Sequence, residues 1–183
     1  MADALLDVVN ENDEVIGREL RSIVHANGLL HREIHLWLIT PDKKIVMQQR
    51  SIRKETNPGL LTLAAGGHVE SGSTYAQTAL IELEEETGQK LLAEDVHYFR
   101  TYRDDMFFPQ TNVHNVAFRA VFGAVFRGKP EDLRLETGDS DGFFFFDVDE
   151  LVNPSPELKQ CMQPRLLEEE FASIRDKLLA LIA

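Results

Sequence analysis

Apolar positions alternate or cluster in short runs over most of the chain and recur at helical spacing in two stretches. Residues 5–9 and 15–20 are short apolar runs flanking Asn10-Glu11-Asn12-Asp13, a turn-forming cluster, and predict a β-hairpin. Residues 34–39 and 44–49 predict a second hairpin, with Pro41 at the first corner of the turn Thr40-Pro41-Asp42-Lys43. Residues 51–61 carry Lys54, Asn57, Pro58 and Gly59 without periodicity. They read as a loop delivering the chain to a glycine-rich bend at Leu63-Ala64-Ala65-Gly66-Gly67. Over 74–87, Ala76, Ala79, Leu80 and Leu83 recur at helical spacing, Thr74 and Gln77 form a capping box, and Gly88 stops the helix. Residues 96–102, 113–126 and 143–146 read as strands, the phenylalanine run of the last as a buried one. After Asn153-Pro154-Ser155-Pro156, Pro164 opens a last helix with Leu167, Phe171, Ile174, Leu178 and Ile182 in one stripe. No repeat interrupts this order, which predicts an α/β fold with a mixed sheet covered by helices.

Composition narrows the picture. With 183 residues and 43% hydrophobic content, the chain can bury one core, so 1–183 is expected to be a single domain. Its 31 acidic and 19 basic residues give a formal charge of -12, which repels nucleic acid polymers and anionic lipid. A polyphosphate substrate therefore needs local positive charge, and a divalent cation is the expected source. Cys161 is the one cysteine, which excludes an internal disulfide and a zinc site of paired cysteines. No basic region leads into an apolar stretch at the start, and no segment approaches the roughly 18 apolar residues of a membrane helix. A soluble, unprocessed cytoplasmic protein without a membrane partner is expected, and a homodimer stays open.

The candidate chemistry sits on the 74–87 helix. At about 100° per residue, Glu82, Glu85 and Glu86 fall within one arc of about 100°, while the apolar residues centre about 120° away and Glu84 points elsewhere. Carboxylates on adjacent turns repel one another and oppose the helix dipole near its C-terminus. A hard cation such as Mg²⁺ would turn that repulsion into coordination. A solvated acidic face is the alternative the helix alone leaves open.

The segment Gly67-His68-Val69-Glu70-Ser71-Gly72, the helix that follows, and Glu82-Leu83-Glu84-Glu85-Glu86-Thr87-Gly88 resemble the Nudix box, here residues 67–89. In that family a glycine turn leads into a helix ending R-E-U-x-E-E-x-G, with U aliphatic. Gly67, Glu82, Leu83, Glu85, Glu86 and Gly88 match at the family's spacing; Ser73, Ile81 and Gln89 depart from it. The family's arginine, where Ile81 stands, helps orient the neighbouring glutamate. Ser73 also reads as an N-cap or N′ residue.

The resemblance implies a Nudix α/β/α sandwich and a metal-dependent hydrolase that cleaves a phosphoanhydride in a small nucleoside or other organic diphosphate. It implies Mg²⁺ or Mn²⁺ on Glu82, Glu85 and Glu86, with a backbone carbonyl at Gly66 or Gly67 and His68 as further ligands. Glu85, Glu86 or Asp139, from the loop 136–141, would serve catalysis. Arg50, Arg53 and Lys54 would grip substrate phosphate. Phe107 and Phe108, in a loop spanning 104–110, read as core in preference to a nucleobase platform.

Residues 6–17, His25, Leu30-His31-Arg32, Gln48-Gln49-Arg50 and Pro58-Gly59 further resemble the isopentenyl-diphosphate isomerase-like branch. Type I isomerases bind a metal through histidines matching His25, His31 and His68, so isomerisation is a rival function. It requires a cysteine where Gly66 stands and an acid near 113–115, and neither is present. A Nudix domain that keeps ligand binding but has lost catalysis is the non-enzymatic alternative.

Overall fold

The computed structural model describes residues 3–136, 138 and 140–183. Strands β1 (Leu5–Val9) and β2 (Val15–Leu20) form the first hairpin, closed by Asn10, whose side-chain oxygen accepts from the backbone N–H groups of Asn12 and Glu14. Helix α1 (Arg21–Asn27), which the periodicity did not show, follows directly and ends at Gly28 in the left-handed region. It is two turns long without a side-chain N-cap, so local sequence carries almost no signal for it.

A seven-stranded mixed sheet forms the body. Its path runs β5 (Leu61–Thr62), β4 (Lys44–Arg50), β3 (His31–Ile39), β8 (Val113–Val125) and β7 (His97–Phe108). β3 and β8 are parallel, and the other pairs are antiparallel. β4 pairs with β3 only at Leu38 and Ile39, then diverges. β6 (Ala65–His68) takes the vacated edge of β3 over Glu33 to Leu36, and β9 (Ser140–Asp147) pairs with β4. The glycine stretch read as a bend is thus a strand: Gly66 and Gly67 are opposite His35 and Ile34, where small residues let helix and sheet approach.

The pleat of β3 divides the core. Ile34, Leu36 and Leu38 point to one face, where α2 (Tyr75–Thr87) covers them with Ala79 and Leu83. Trp37 and Ile39 point to the other, against Phe171, Ile174 and Leu178. Helices α3 (Val148–Val152), α4 (Pro156–Gln160) and α5 (Ala172–Ala180) lie in the C-terminal part of the chain, so helices cover both faces of the mixed sheet, as expected. Leu166–Phe171 before α5 is a π-helical turn, which the uniform stripe did not show. Helix α2 buries Thr78 and leaves Ala76 exposed, so its apolar face is rotated from the expected one. Phe107 and Phe108 belong to β7 and not to a loop, and Phe107 is 56% exposed because that end of the β7–β8 hairpin lacks a covering layer. Phe144 is also exposed, since β9 is covered incompletely. Among the described residues, no helix is long and apolar enough to cross a membrane.

The cap of α2 forms as its sequence predicts: Thr74 Oγ1 accepts from the Gln77 N–H at 3.2 Å, and Gln77 Oε1 accepts from the Thr74 N–H at 3.0 Å. Ser73 precedes the cap. Thr74→Ala is expected to cost about 1 kcal/mol, read as a lower denaturation midpoint with an unchanged denaturant slope.

Candidate functional site

Helix α2 lays its acidic edge along β6. A methyl group at Gly67 would overlap the Glu82 carboxylate, so glycine is required for that carboxylate to lie against the strand backbone. One turn on, Glu86 accepts a hydrogen bond from Gln48 Nε2 on β4, and the same amide donates to Ala64 O at 3.2 Å. Divergence of β4 from β3 opens the space in which these groups meet. Burial and the charge of Glu82, reinforced by Glu136 and opposed by Gln48 and Lys54, push the Glu86 carboxyl up to about 8. Glu85 is exposed, and Glu84 points away into an ion pair with Lys90 at 2.7 Å.

Glu136 is the acid that sequence reading passed over. It lies in the same turn as Asp139, near enough for its charge to act on Glu86. Asp139, the acid that the resemblance implies in this loop, falls outside the described residues. The cationic loop behaves as three separate groups. Arg50 turns back on its own loop, donating to Thr56 O at 3.1 Å. Lys54 is close enough to lower the Glu86 carboxyl. Arg53 reaches toward the turn, since a Cβ at Gly138 would be 3.6 Å from its Nη2.

His68 follows Gly67 on the strand and faces the opposite way, so it does not join the glutamates. It meets His25 from α1 and His31 from β3 instead. One ring nitrogen from each lies within 4.8 Å of the others, with His25 Nε2 and His68 Nε2 3.0 Å apart. Burial, with the nearby charge of Arg21 reinforcing it, takes His25 down to about 4. Burial, opposed by Glu33, takes His68 to about 3, so both rings are neutral near pH 7. Neutral imidazole is the ligand form. Glu33, the cross-strand partner of His68, places Oε1 3.2 Å from His68 Nε2. Burial alone would raise its carboxyl, but Arg119 holds it well below the usual range.

The same sheet face carries Glu170. Its carboxylate accepts from His35 Nδ1 at 2.8 Å, Trp37 Nε1 at 2.6 Å and the Tyr102 hydroxyl at 2.5 Å.

The NUDIX domain family model matches residues 29–170, which carry the glycine strand, the acidic helix and Gln48. The chain belongs to the NUDIX family. An uncharacterized Nudix hydrolase of Streptomyces coelicolor is 36% identical over 104 residues, covering 57% of this chain and 58% of that protein. The isopentenyl-diphosphate Delta-isomerase of Serratia proteamaculans is 30% identical over 129 residues, 70% of each chain, in keeping with the resemblance to that branch. This NUDIX chain spans 44% to 58% of the length of three curated Nudix hydrolases it matches. A crystal structure from Deinococcus radiodurans shares the fold, with a TM-score of 0.67, 23% identity, and coverage of 90% of this chain and 95% of that one.

Proposed function

We propose that this NUDIX protein is a metal-dependent pyrophosphohydrolase that cleaves a phosphoanhydride in a small organic diphosphate. The observation that carries the reading is the pair Glu82 and Glu86 on one edge of α2, Glu82 lying against Gly67 and Glu86 half-buried and held by Gln48, where burial and the charge of Glu82 push the Glu86 carboxyl up. Two carboxylates forced together in a partly desolvated cleft are stabilised by a cation, and an all-oxygen donor set suits Mg²⁺ or Mn²⁺. Glu82, Glu86, the Gly67 carbonyl and, from the adjacent exposed position, Glu85 would hold the ion, which when bound supplies Lewis-acid polarisation of a phosphoryl oxygen and a more acidic water.

The chain's own residues do the rest. Gln48 fixes the direction of Glu86 by bridging it to the Ala64 carbonyl. Gly67 fixes Glu82 by leaving no competing volume. Lys54 and Arg53 bind the distal phosphate oxygens, and Arg50 shapes their loop through Thr56. Glu136, whose charge reaches Glu86, would accept the water's proton, with Asp139 and Glu85 as the alternatives. The leaving group follows from none of these residues.

The test is a panel of nucleoside diphosphates, nucleotide sugars, dinucleotides and prenyl diphosphates, assayed for phosphate or monophosphate release with Mg²⁺, with Mn²⁺ and with chelator. Release from at least one class, abolished by chelator, is expected. Saturable binding without turnover of any class would instead favour a ligand-binding domain. The histidine cluster and the isomerase relative favour a second reading, isomerisation of isopentenyl diphosphate. Gly66 supplies no thiol for the carbon-centred proton transfers that reaction needs. Formation of dimethylallyl diphosphate at an enzymatic rate would establish it.

A further inference from the structure

His35 and Glu170 meet on the sheet face opposite α2, and the hydrolytic site described above uses neither. We propose that His35, held by Glu170, sets the specificity of this protein: its second ring nitrogen binds the organic group of the diphosphate, and that group carries hydroxyls, as a sugar does, in preference to an apolar chain. This assignment rests on the reading that the α2 glutamates hold the diphosphate.

The direction of the imidazole is the first support. Glu170 accepts from His35 Nδ1 at 2.8 Å, so Nδ1 carries a proton and Nε2 is the polar atom left over. His35 Nε2 has no hydrogen-bond partner among the described residues and is not one of the buried unpartnered atoms, so it belongs to the 16% of the side chain that remains exposed. Trp37 and Tyr102 already donate to the Glu170 carboxylate, and a third donor that turns a second nitrogen outward is more than burial of Glu170 requires. A hydroxyl both donates and accepts, and therefore suits Nε2 whether the ring is neutral or charged.

Place and polarity are the second. His35 pairs with Gly66, and Ile34 pairs with Gly67, the glycine that meets the Glu82 carboxylate. His35 is thus one residue along β3 from the position that carries Glu82, on the other face of β6. Among the named strands β6 pairs only with β3, so a group joined to the diphosphate reaches His35 around the free edge of β6. The face it reaches is polar. Glu33, Arg119 and Tyr102 stand in register across β3, β8 and β7, and Arg119 also donates to Asp104. Asp104 Oδ1 has Arg165 Nη1 3.6 Å away, beyond a direct hydrogen bond. Arg165 is 57% exposed, has a φ of 65°, and opens the π-helical turn that carries Glu170; strained residues and π turns gather at ligand sites. An apolar chain laid on this face would strip water from these groups without replacing its hydrogen bonds, whereas hydroxyls replace them.

Calorimetric titration needs no turnover and so separates this assignment from the hydrolase reading. Full-length protein carrying Glu86→Gln, which slows hydrolysis, is titrated with UDP-glucose, ADP-ribose and isopentenyl diphosphate in the presence of Mg²⁺. At least one of the two hydroxylated probes is expected to bind about tenfold more tightly than isopentenyl diphosphate, the effect of about one well-made hydrogen bond. His35→Asn keeps an amide donor for Glu170 and removes the outward nitrogen. Adding it is expected to weaken the preferred probe about tenfold while isopentenyl diphosphate stays within about twofold and the denaturation midpoint is unchanged. His35→Gln, whose longer amide reaches the place of Nε2, should recover part of the affinity, and it carries the comparison if circular dichroism shows that His35→Asn does not fold. Isopentenyl diphosphate binding as tightly as both other probes, or equal effects of the His35 substitution on all three, would overturn the proposal and leave the hydrolase reading intact. Binding of none of the three, by this protein or by the parent, would overturn both.

Discussion

Glu86→Gln is expected to lower turnover at saturating Mg²⁺ by about a hundredfold or more while Glu84→Gln leaves it within about twofold, as when a charge acting on the transition state is lost from one face only. The amide oxygen of glutamine can still accept from Gln48, so geometry is preserved and charge alone changes. Metal-free stability should move the other way. A carboxyl raised to about 8 stabilises the fold fully below its ordinary 4.5 and loses that contribution as pH rises through 8. Without metal at pH 8.5, Glu86→Gln should therefore melt at a higher temperature than the parent, a difference that shrinks toward pH 5. Lower activity with lower stability would indicate a structural role. Equal losses for Glu84→Gln and Glu86→Gln would mean that the helix responds to charge in general.

Glu170→Gln is expected to cost on the order of 3 kcal/mol at pH 7, because a buried carboxylate meets its partners only as an acceptor. One oxygen receives His35 and Tyr102 and the other Trp37, so an amide nitrogen at either place would face a donor. Burial pushes the Glu170 carboxyl up, but the charge and hydrogen bond of His35, helped by Tyr102 and Arg119, bring it down to about 2. That contribution is complete above 4.5 and is lost as pH falls through about 2. Denaturation midpoints of parent and variant should thus converge between pH 4.5 and pH 2. A gap that stays constant over that range would refute the assignment of charge to Glu170.

What the sequence disclosed follows how local each cause is. The bounds of helix α2 were legible because its cap and its stop arise within a few turns, whereas its buried face was not, since tertiary packing buries Thr78 and leaves Ala76 exposed. Helix α1 was not, for its support comes from elsewhere: Gly28 packs on the His114 ring, and Val24 and His25 are buried by tertiary contact. Glycines 66 and 67 suggested a bend because glycine disfavours strands in isolation, yet pairing with β3 decides their conformation. Glu33 carries no local mark, as its partner Arg119 is 86 residues away. Glu170 did leave a trace. It lies three residues after Leu167 and four before Ile174, a carboxylate inside an apolar stripe, and such a residue needs a partner. Glu136 and Asp139 shared one turn, and composition alone could not rank them.

The parallel pairing of β3 with β8 also sets a schedule for the growing chain. Contacts that enclose the polar face join residues 86 positions apart, and the bonds of Glu170 to His35 span 135. Loop closure over such distances is slow, and an emerging chain displays His25, His31 and His68 long before Arg119 and Glu170 have left the ribosome. Until then Glu33 lacks Arg119 and His35 lacks Glu170, so the polar face is completed only once the C-terminal part of the chain has been made and has docked.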